Sequence, residues 1–386
     1  MRIFELLRRP RAELDAPVWL SRATMILVVL VAAVAPLVSA PYVNFDRSMV
    51  LVYIVVGLGL NLLTGNTGQI SLGHGFFFAL GAYLSAVLAE NHGVPYLLLI
   101  PIAFTVGYVV GYLFGLPALR LHGLQLALAT LGLALVTPAV IKRFEHITDG
   151  QAGINIFGAE APEFTGLARD QWVYYLCLVV ALVAYLVVRR LATGRIGRSL
   201  IAIRDYEAVA TTLGVPATRT KTTIFAFSAA LAGVGGVLYS FVVQYVGPEA
   251  FGLPLAIAFI TMIVVGGLGT VPGVVFGAFF VVYVPQWTAD INQSAAGITH
   301  GVALILFIFV LPYGVISLVR QGLGPVVARI PGRRRGGPAA AECSGFSRRV
   351  SVISANPVSD TNRLRPGRHS TGTRAAARSV PRPNRQ

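Results

Sequence analysis

The sequence predicts an all-α, polytopic helical membrane protein, and three observations carry that prediction. Of its 386 residues, 55% are hydrophobic and only 12% charged, with a mean hydropathy of +0.72, which is more apolar surface than a soluble core of this length hides. Apolar runs close to the roughly 20 residues needed to cross a bilayer recur from Ala23 to Val319 with short polar breaks between them. These runs are rich in Leu, Val and Ala and do not alternate with polar residues, so helices rather than barrel strands would pair their backbone in lipid.

The first run, Ala23 to Val43, follows Arg2, Arg8, Arg9, Arg11 and Arg22. It is too long for a usual signal-peptide core, so it reads as a signal anchor, although Val38-Ser39-Ala40 faintly resembles a cleavage site. Residues 1–22 then form a cytoplasmic segment. Met49 to Leu63, Ile70 to Ala89, Tyr96 to Leu116 and Leu124 to Ile141 complete five crossings that end outside. The next segment agrees, because Glu145, Asp149, Glu160, Glu163 and Asp170 face only Arg169 there, whereas basic residues gather on the cytoplasmic side. Trp172 to Val188 returns inward to a segment carrying Arg189, Arg190, Arg195, Arg198, Arg204, Arg219 and Lys221. Thr223 to Val246 leads out again, and Gly297 to Val319 brings the chain back in.

Between Pro248 and Pro285 the chain starts and finishes outside, and its apolar stretch is interrupted by Gly266-Gly267-Leu268-Gly269 and Pro272-Gly273. A re-entrant or tightly paired short hairpin is expected there. The transmembrane domain, residues 23–320, thus has eight full spans plus the hairpin, or ten if both arms cross. The remainder, residues 321–386, is a basic cytoplasmic tail. After Pro331 it holds twelve arginines against Glu342 and Asp360, so it supplies +10 of the net charge of +15. Its Pro, Ser, Gly and Arg composition predicts disorder, with anionic lipid head groups rather than nucleic acid as the partner of its charge. The abrupt change of composition also fits an out-of-frame C-terminus.

The spans delimited above hold no carboxylate to bind and release a driving ion, which argues against a proton- or sodium-coupled carrier. The chain has no phosphate-binding loop, and its only lysines are Lys142 and Lys221, so nucleotide hydrolysis belongs to a partner. Cys177 and Cys343 match no metal or redox spacing. No nucleophile, base or metal cluster is recognisable, so catalytic residues, bound cofactors and metals are not expected. What stands out instead is the passage from Asn61 to Gly75, polar and glycine-rich between two apolar runs. Non-helical backbone at membrane depth survives only against protein or a watery cavity. Asn61, Thr64, Gly65, Gln69, Ser71 and His74, with Gly266, Gly267 and Gly269 of the second break, are the candidate substrate pathway for a zwitterion. The alternative is that they glue helices together.

Within the basic segment, Asp205 to Leu213 reads as a short helix with Asp205 as its N-cap, Glu207 near its positive end and Gly214 as its stop. Ala208, Val209 and Ala210 give it a small apolar face of the kind a docking helix presents. The stretch from Gly197 to Val215 resembles the coupling loop of branched-chain amino acid permeases of the ATP-binding-cassette type. Asn61 to Ala82, with its Leu-Leu-Thr-Gly and Gly-Gln-Ile-Ser-Leu-Gly-His, Phe227 to Gly233 and Gly266-Gly267-Leu268-Gly269 are similar to that family in the same order, over residues 20 to 320. The sequence departs from the generic importer motif in placing Glu207 seven rather than six residues before its glycine, Gly214.

The resemblance implies a permease subunit of a bacterial inner-membrane importer, with Arg204, Asp205, Glu207, Ala208, Ala210 and Gly214 on the ATPase-coupling helix. It implies a second related permease, two cytoplasmic ATPase subunits that use the ATP, and an extracytoplasmic solute-binding protein. Leucine-type amino acids are the expected cargo. Urea or short amides by the same mechanism, or an ATP-independent channel or secondary carrier, remain as alternatives.

Overall fold

The computed structural model describes residues 18–118, 124–156, 161, 166–291 and 301. The residues before 18, the tail 321–386 and, apart from Gly301, the expected span Gly297 to Val319 lie outside the described residues. The chain is helical along most of its described length: α1 (Val18–Val38), α2 (Pro41–Asn61) continued by a π turn (Leu62–Asn66), α3 (His74–His92), α4 (Tyr96–Ala118), α5 (Leu124–Arg143) and the single turn α6 (Glu145–Thr148). Then come α7 (Arg169–Thr193), α8 (Arg195–Asp205), α9 (Glu207–Thr212), α10 (Ala217–Val243), a 3-10 turn (Pro248–Phe251), α11 (Leu253–Gly266) and α12 (Gly273–Ile291).

Among the described residues five helices are long and apolar enough to cross a membrane: Pro41–Asn66, Tyr96–Pro117, Gln125–Arg143, Arg169–Thr193 and Ala217–Val243. The expected total of eight is therefore not reached here by length and composition. The expected run Ala23 to Val43 is cut at Val38, and a new helix starts at Pro41. The cause is local: a residue before proline is pushed out of the helical region, Ala40 is extended at φ −67° and ψ 151°, and Pro41 sits in the first turn where its missing N–H costs nothing. Asp46 and Arg47, read as loop residues, thereby fall inside α2. They are paired, with Gln286 Nε2 donating to Asp46 Oδ1 at 2.8 Å and Arg47 Nη1 donating to Ser39 Oγ at 2.6 Å.

Helix α10 is the pillar of the bundle. It packs against α4, α3 and α2, and 78% of its most apolar window is buried, against 22% for α4. Small residues make this possible. A Cβ on Gly81 of α3 would run into the Gly233 carbonyl, and one on Gly236 of α10 into the Phe78 carbonyl, so the two backbones touch where lipid gives no hydrophobic drive to hold them. Ser85 Oγ and Ser240 Oγ share a hydrogen bond of 2.7 Å across the same contact. A second layer forms where α2 packs on α7 and α12.

Helix α1 is attached through its own proline. Pro36 cannot bond to the carbonyl one turn back, and the Ala32 carbonyl instead accepts from Tyr174 Oη of α7 at 2.9 Å, with the neighbouring Ala33 carbonyl accepting from Tyr175 Oη at 2.8 Å. At the end of the bundle that carries the acidic loop residues, strands β1 (Ile154–Asn155) and β2 (Tyr245–Val246) pair antiparallel. Beside them Lys142 and Glu249 form an exposed ion pair of 2.6 Å, of the kind that contributes at most about 1 kcal/mol.

The expected short hairpin is found as α11 and α12, packed against each other. At 14 residues and about 1.5 Å per residue, α11 is too short to cross about 30 Å of hydrocarbon. Helix α12 continues past Pro285 to Ile291 instead of ending there.

The α3–α10 contact yields a quantitative expectation. Gly236→Ala should lower stability by about 1–3 kcal/mol through overpacking, whereas Gly132→Ala, whose Cβ would meet nothing within 4 Å, should be neutral or gain up to about 1 kcal/mol in helix propensity. Thermal unfolding of the two purified variants in detergent distinguishes them.

Candidate functional site

The two interruptions singled out in the sequence lie against each other. Helix α2 loosens into the π turn Leu62–Asn66, and α11 ends at Gly266, after which Gly267 and Gly269 adopt φ +105° and +76°. Glycine takes such dihedrals without the penalty that a side chain brings. Asn61, at the end of α2, closes the junction with both ends of its carboxamide. Gly269 N donates to Asn61 Oδ1 at 2.9 Å, and Asn61 Nδ2 donates to the Thr270 carbonyl at 3.1 Å. Gly65 completes it by contact, since a Cβ there would strike the Gly269 backbone. Gly266 abuts Gly273 in the same manner at the neck of the hairpin.

After the break the chain turns back into α3 through a second set of polar contacts. Leu72 N donates to Thr130 Oγ1 of α5 at 3.0 Å. His74 is fully enclosed, its Nδ1 sharing a hydrogen bond of 3.1 Å with Ser71 Oγ and its Nε2 one of 2.6 Å with Ser228 Oγ of α10. The passage thus engages α5, α10 and the α11–α12 hairpin within a few residues. The polar atoms of Asn61, Ser71 and His74 are occupied by these internal bonds. Thr64 Oγ1 and Gln69 Oε1 differ, being buried without a hydrogen-bond partner.

A second feature projects from the same end of the bundle. The sequence predicted one helix from Asp205 to Leu213, but the chain is bent at Tyr206, with φ −148° and ψ 85°, into α8 and α9. Arg204 and Asp205 close α8, and Tyr206 rather than Asp205 takes the N-cap position of α9 without a side-chain cap. The stop at Gly214 has φ +85°, with Val215 N donating to the Ala210 carbonyl at 3.0 Å, as a glycine-terminated helix end should. Of the small face, Ala210 points inward onto Ile203, Ala217 and Val215.

The apolar stripe that α9 leaves bare consists of Tyr206, Val209 and Leu213, exposed to 74%, 55% and 78%. Val209 and Leu213, four residues apart, share one helix face, and Tyr206 takes the N-cap position ahead of it. Sequence inspection picked Val209 but missed Tyr206 and Leu213; for Leu213 the signal was that same spacing. Glu207 is turned from this stripe toward α10, where it pairs with Lys221 Nζ at 2.6 Å.

Comparison with known proteins follows the same lines. A family described as branched-chain amino acid transport system / permease component matches residues 47–311. The high-affinity branched-chain amino acid transport system permease protein LivM of Salmonella typhimurium is 30% identical over 322 residues, covering 78% of this chain and 75% of its own length. The LivM protein of Escherichia coli is 30% identical over 77% of this chain and 75% of its own. A probable branched-chain amino acid transport permease protein LivH of Methanocaldococcus jannaschii is 27% identical over 70% of this chain and 90% of its own. No solved structure matches the chain.

Removing the Asn61 carboxamide should unfasten the junction. Asn61→Ala removes the side-chain partner of the Gly269 amide and of the Thr270 carbonyl, a net loss of about 0.5–1.5 kcal/mol for each bond, and hydrogen exchange at amides 267–270 should accelerate by roughly tenfold for every 1.4 kcal/mol. Mass-resolved exchange on the detergent-solubilised protein measures it.

Proposed function

The chain belongs to the family of branched-chain amino acid transport system permease components, and on that premise we propose that it is the membrane-spanning subunit of an ATP-driven importer of branched-chain amino acids. The single observation that carries the mechanism is the bare apolar stripe Tyr206, Val209 and Leu213 on α9, held outside the bundle on the most basic loop of the described chain. An apolar stripe of this kind, ringed by charge, suits a soluble partner better than lipid or water. We assign that partner as a cytoplasmic ATPase subunit, one of two, with ATP bound there and not on this chain.

The remaining assignments follow from the same reading. The arginine-rich end faces the cytoplasm and the β1–β2 end faces outward, toward a solute-binding protein. Residues 23–320 form the transmembrane domain, flanked by the cytoplasmic segments 1–22 and 321–386, in a bacterial inner membrane. The names of the relatives, LivM and LivH, support a second, related permease as the partner across the membrane. Closure of the ATPases moves α9, and the junction of α2 with the α11–α12 hairpin transmits the movement to a central pathway where Thr64 and Gln69 meet the solute.

The test is uptake of labelled leucine, with urea in parallel, by vesicles carrying this chain and its candidate partners. Leucine uptake that requires both ATP and the binding protein supports the proposal. Uptake of urea alone replaces the substrate, and flux through this chain without ATP overturns the importer reading. Leu213→Asp, which puts a charge on the bare stripe, should abolish co-purification of the ATPase subunits and lower uptake at least tenfold while the chain still inserts.

A further inference from the structure

The resemblance to the coupling loop groups Arg204 with the docking residues, but its side chain is directed the other way. Arg204 Nη1 donates to the Gly65 carbonyl at 2.5 Å. Its stem runs beside Gly68, where an added Cβ would lie 3.3 Å from Arg204 Cγ. Gly65 belongs to the π turn in the last turns of the α2 segment, where carbonyls have no following amide and the helix dipole favours a cation. The chain leaves the helix at once, Gly68 having φ +74°. A guanidinium is suited to this place because it is always charged and reaches a carbonyl at the end of a long stem. Gly65 in turn abuts Gly269 of the α11–α12 turn, whose amide is bonded to Asn61.

One side chain therefore links the bent pair α8–α9 to the point where both membrane breaks meet. We propose that Arg204 is a positioning residue that couples movement of α8–α9 to the α2 and α11–α12 junction, and that it makes no contact with the ATPase. The proposal rests on the importer reading for its consequence in transport, but not for the bond itself. It divides the labour of the coupling segment: the stripe Tyr206, Val209 and Leu213 receives the partner, Lys221 and Glu207 fasten α9 to α10, and Arg204 passes displacement on.

Two measurements on the full chain test it. In the first, purified Arg204→Gln is compared with the unsubstituted protein by hydrogen exchange without partners. Amides 65–70 and 267–270 should exchange at least fivefold faster in the variant, and unchanged protection would overturn the link. In the second, the assembled complex in proteoliposomes is assayed for ATPase co-purification, binding-protein-stimulated ATP hydrolysis and solute moved per ATP. Arg204→Gln should keep the ATPases and hydrolyse within twofold of the unsubstituted complex, yet move at least tenfold less solute per ATP. Arg204→Lys, which keeps a cation beside the carbonyl, should recover more than half of that ratio. Loss of the ATPases in Arg204→Gln, as expected for Leu213→Asp, or an unaltered ratio, would overturn the proposal. If the unsubstituted complex shows no ATP-driven uptake, the importer reading fails by itself and the exchange measurement still decides the link.

Discussion

A backbone that leaves the helical path at membrane depth has to find its partners inside the protein, and here one carboxamide finds them for two breaks together. Asn61 is the last residue of a regular helix, and its side chain bridges α2 and the tip of the α11–α12 hairpin: it accepts from Gly269 and donates to Thr270. A carboxamide carries its acceptor and its donors on separate atoms, so it accepts from one backbone group while it donates to another. Without it the Gly269 amide and the Thr270 carbonyl would lose their side-chain partner, and the turn after α11, a helix too short to cross alone, would lose its tie to α2.

The rest of the bundle is organised to keep that junction in place. Helix α10 stands where α2, α3 and α4 converge, its glycine and serine faces allowing a backbone approach that leucine-rich surfaces forbid. The bond from Ser228 to His74 then fixes the start of α3, immediately after the polar passage. Close packing by small residues gives precise placement with little apolar area, which suits a solvent that does not drive apolar surfaces together. Helices α4, α5 and α7 leave more of their surface uncovered. Rigid contacts thus concentrate around the breaks, and the groups left unsatisfied there, Thr64 and Gln69, stand out against a background in which most polar atoms are paired.

The helical class and the broken hairpin were legible in the sequence because hydropathy and glycine runs are local signals. Helix starts were less so. Hydropathy alone put the second span at Met49, whereas Pro41 begins the helix and carries Asp46 and Arg47 into it; Arg47 is paired with the nearby Ser39, but Asp46 is paired with Gln286, which no local window contains. The polar passage was recognisable from composition, but its meeting with the second break was not, since Asn61 and Gly269 are 208 positions apart. The direction of Arg204 was equally hidden. Charge near a predicted docking helix suggests a free surface residue, and the carbonyl that Arg204 reaches lies 139 positions away at Gly65.

The same separation has a consequence for how the protein is made. At about 5–20 residues per second, the ribosome needs roughly 10–40 seconds to add the 208 residues between Asn61 and Gly269. For that interval the loosened end of α2 has been synthesised but its clamp has no counterpart, and His74 waits in the same way across 154 residues for Ser228. Biogenesis of this chain therefore has a late keystone: the early helices can enter the bilayer one by one, but the polar centre can be sealed only when α10 and the hairpin arrive.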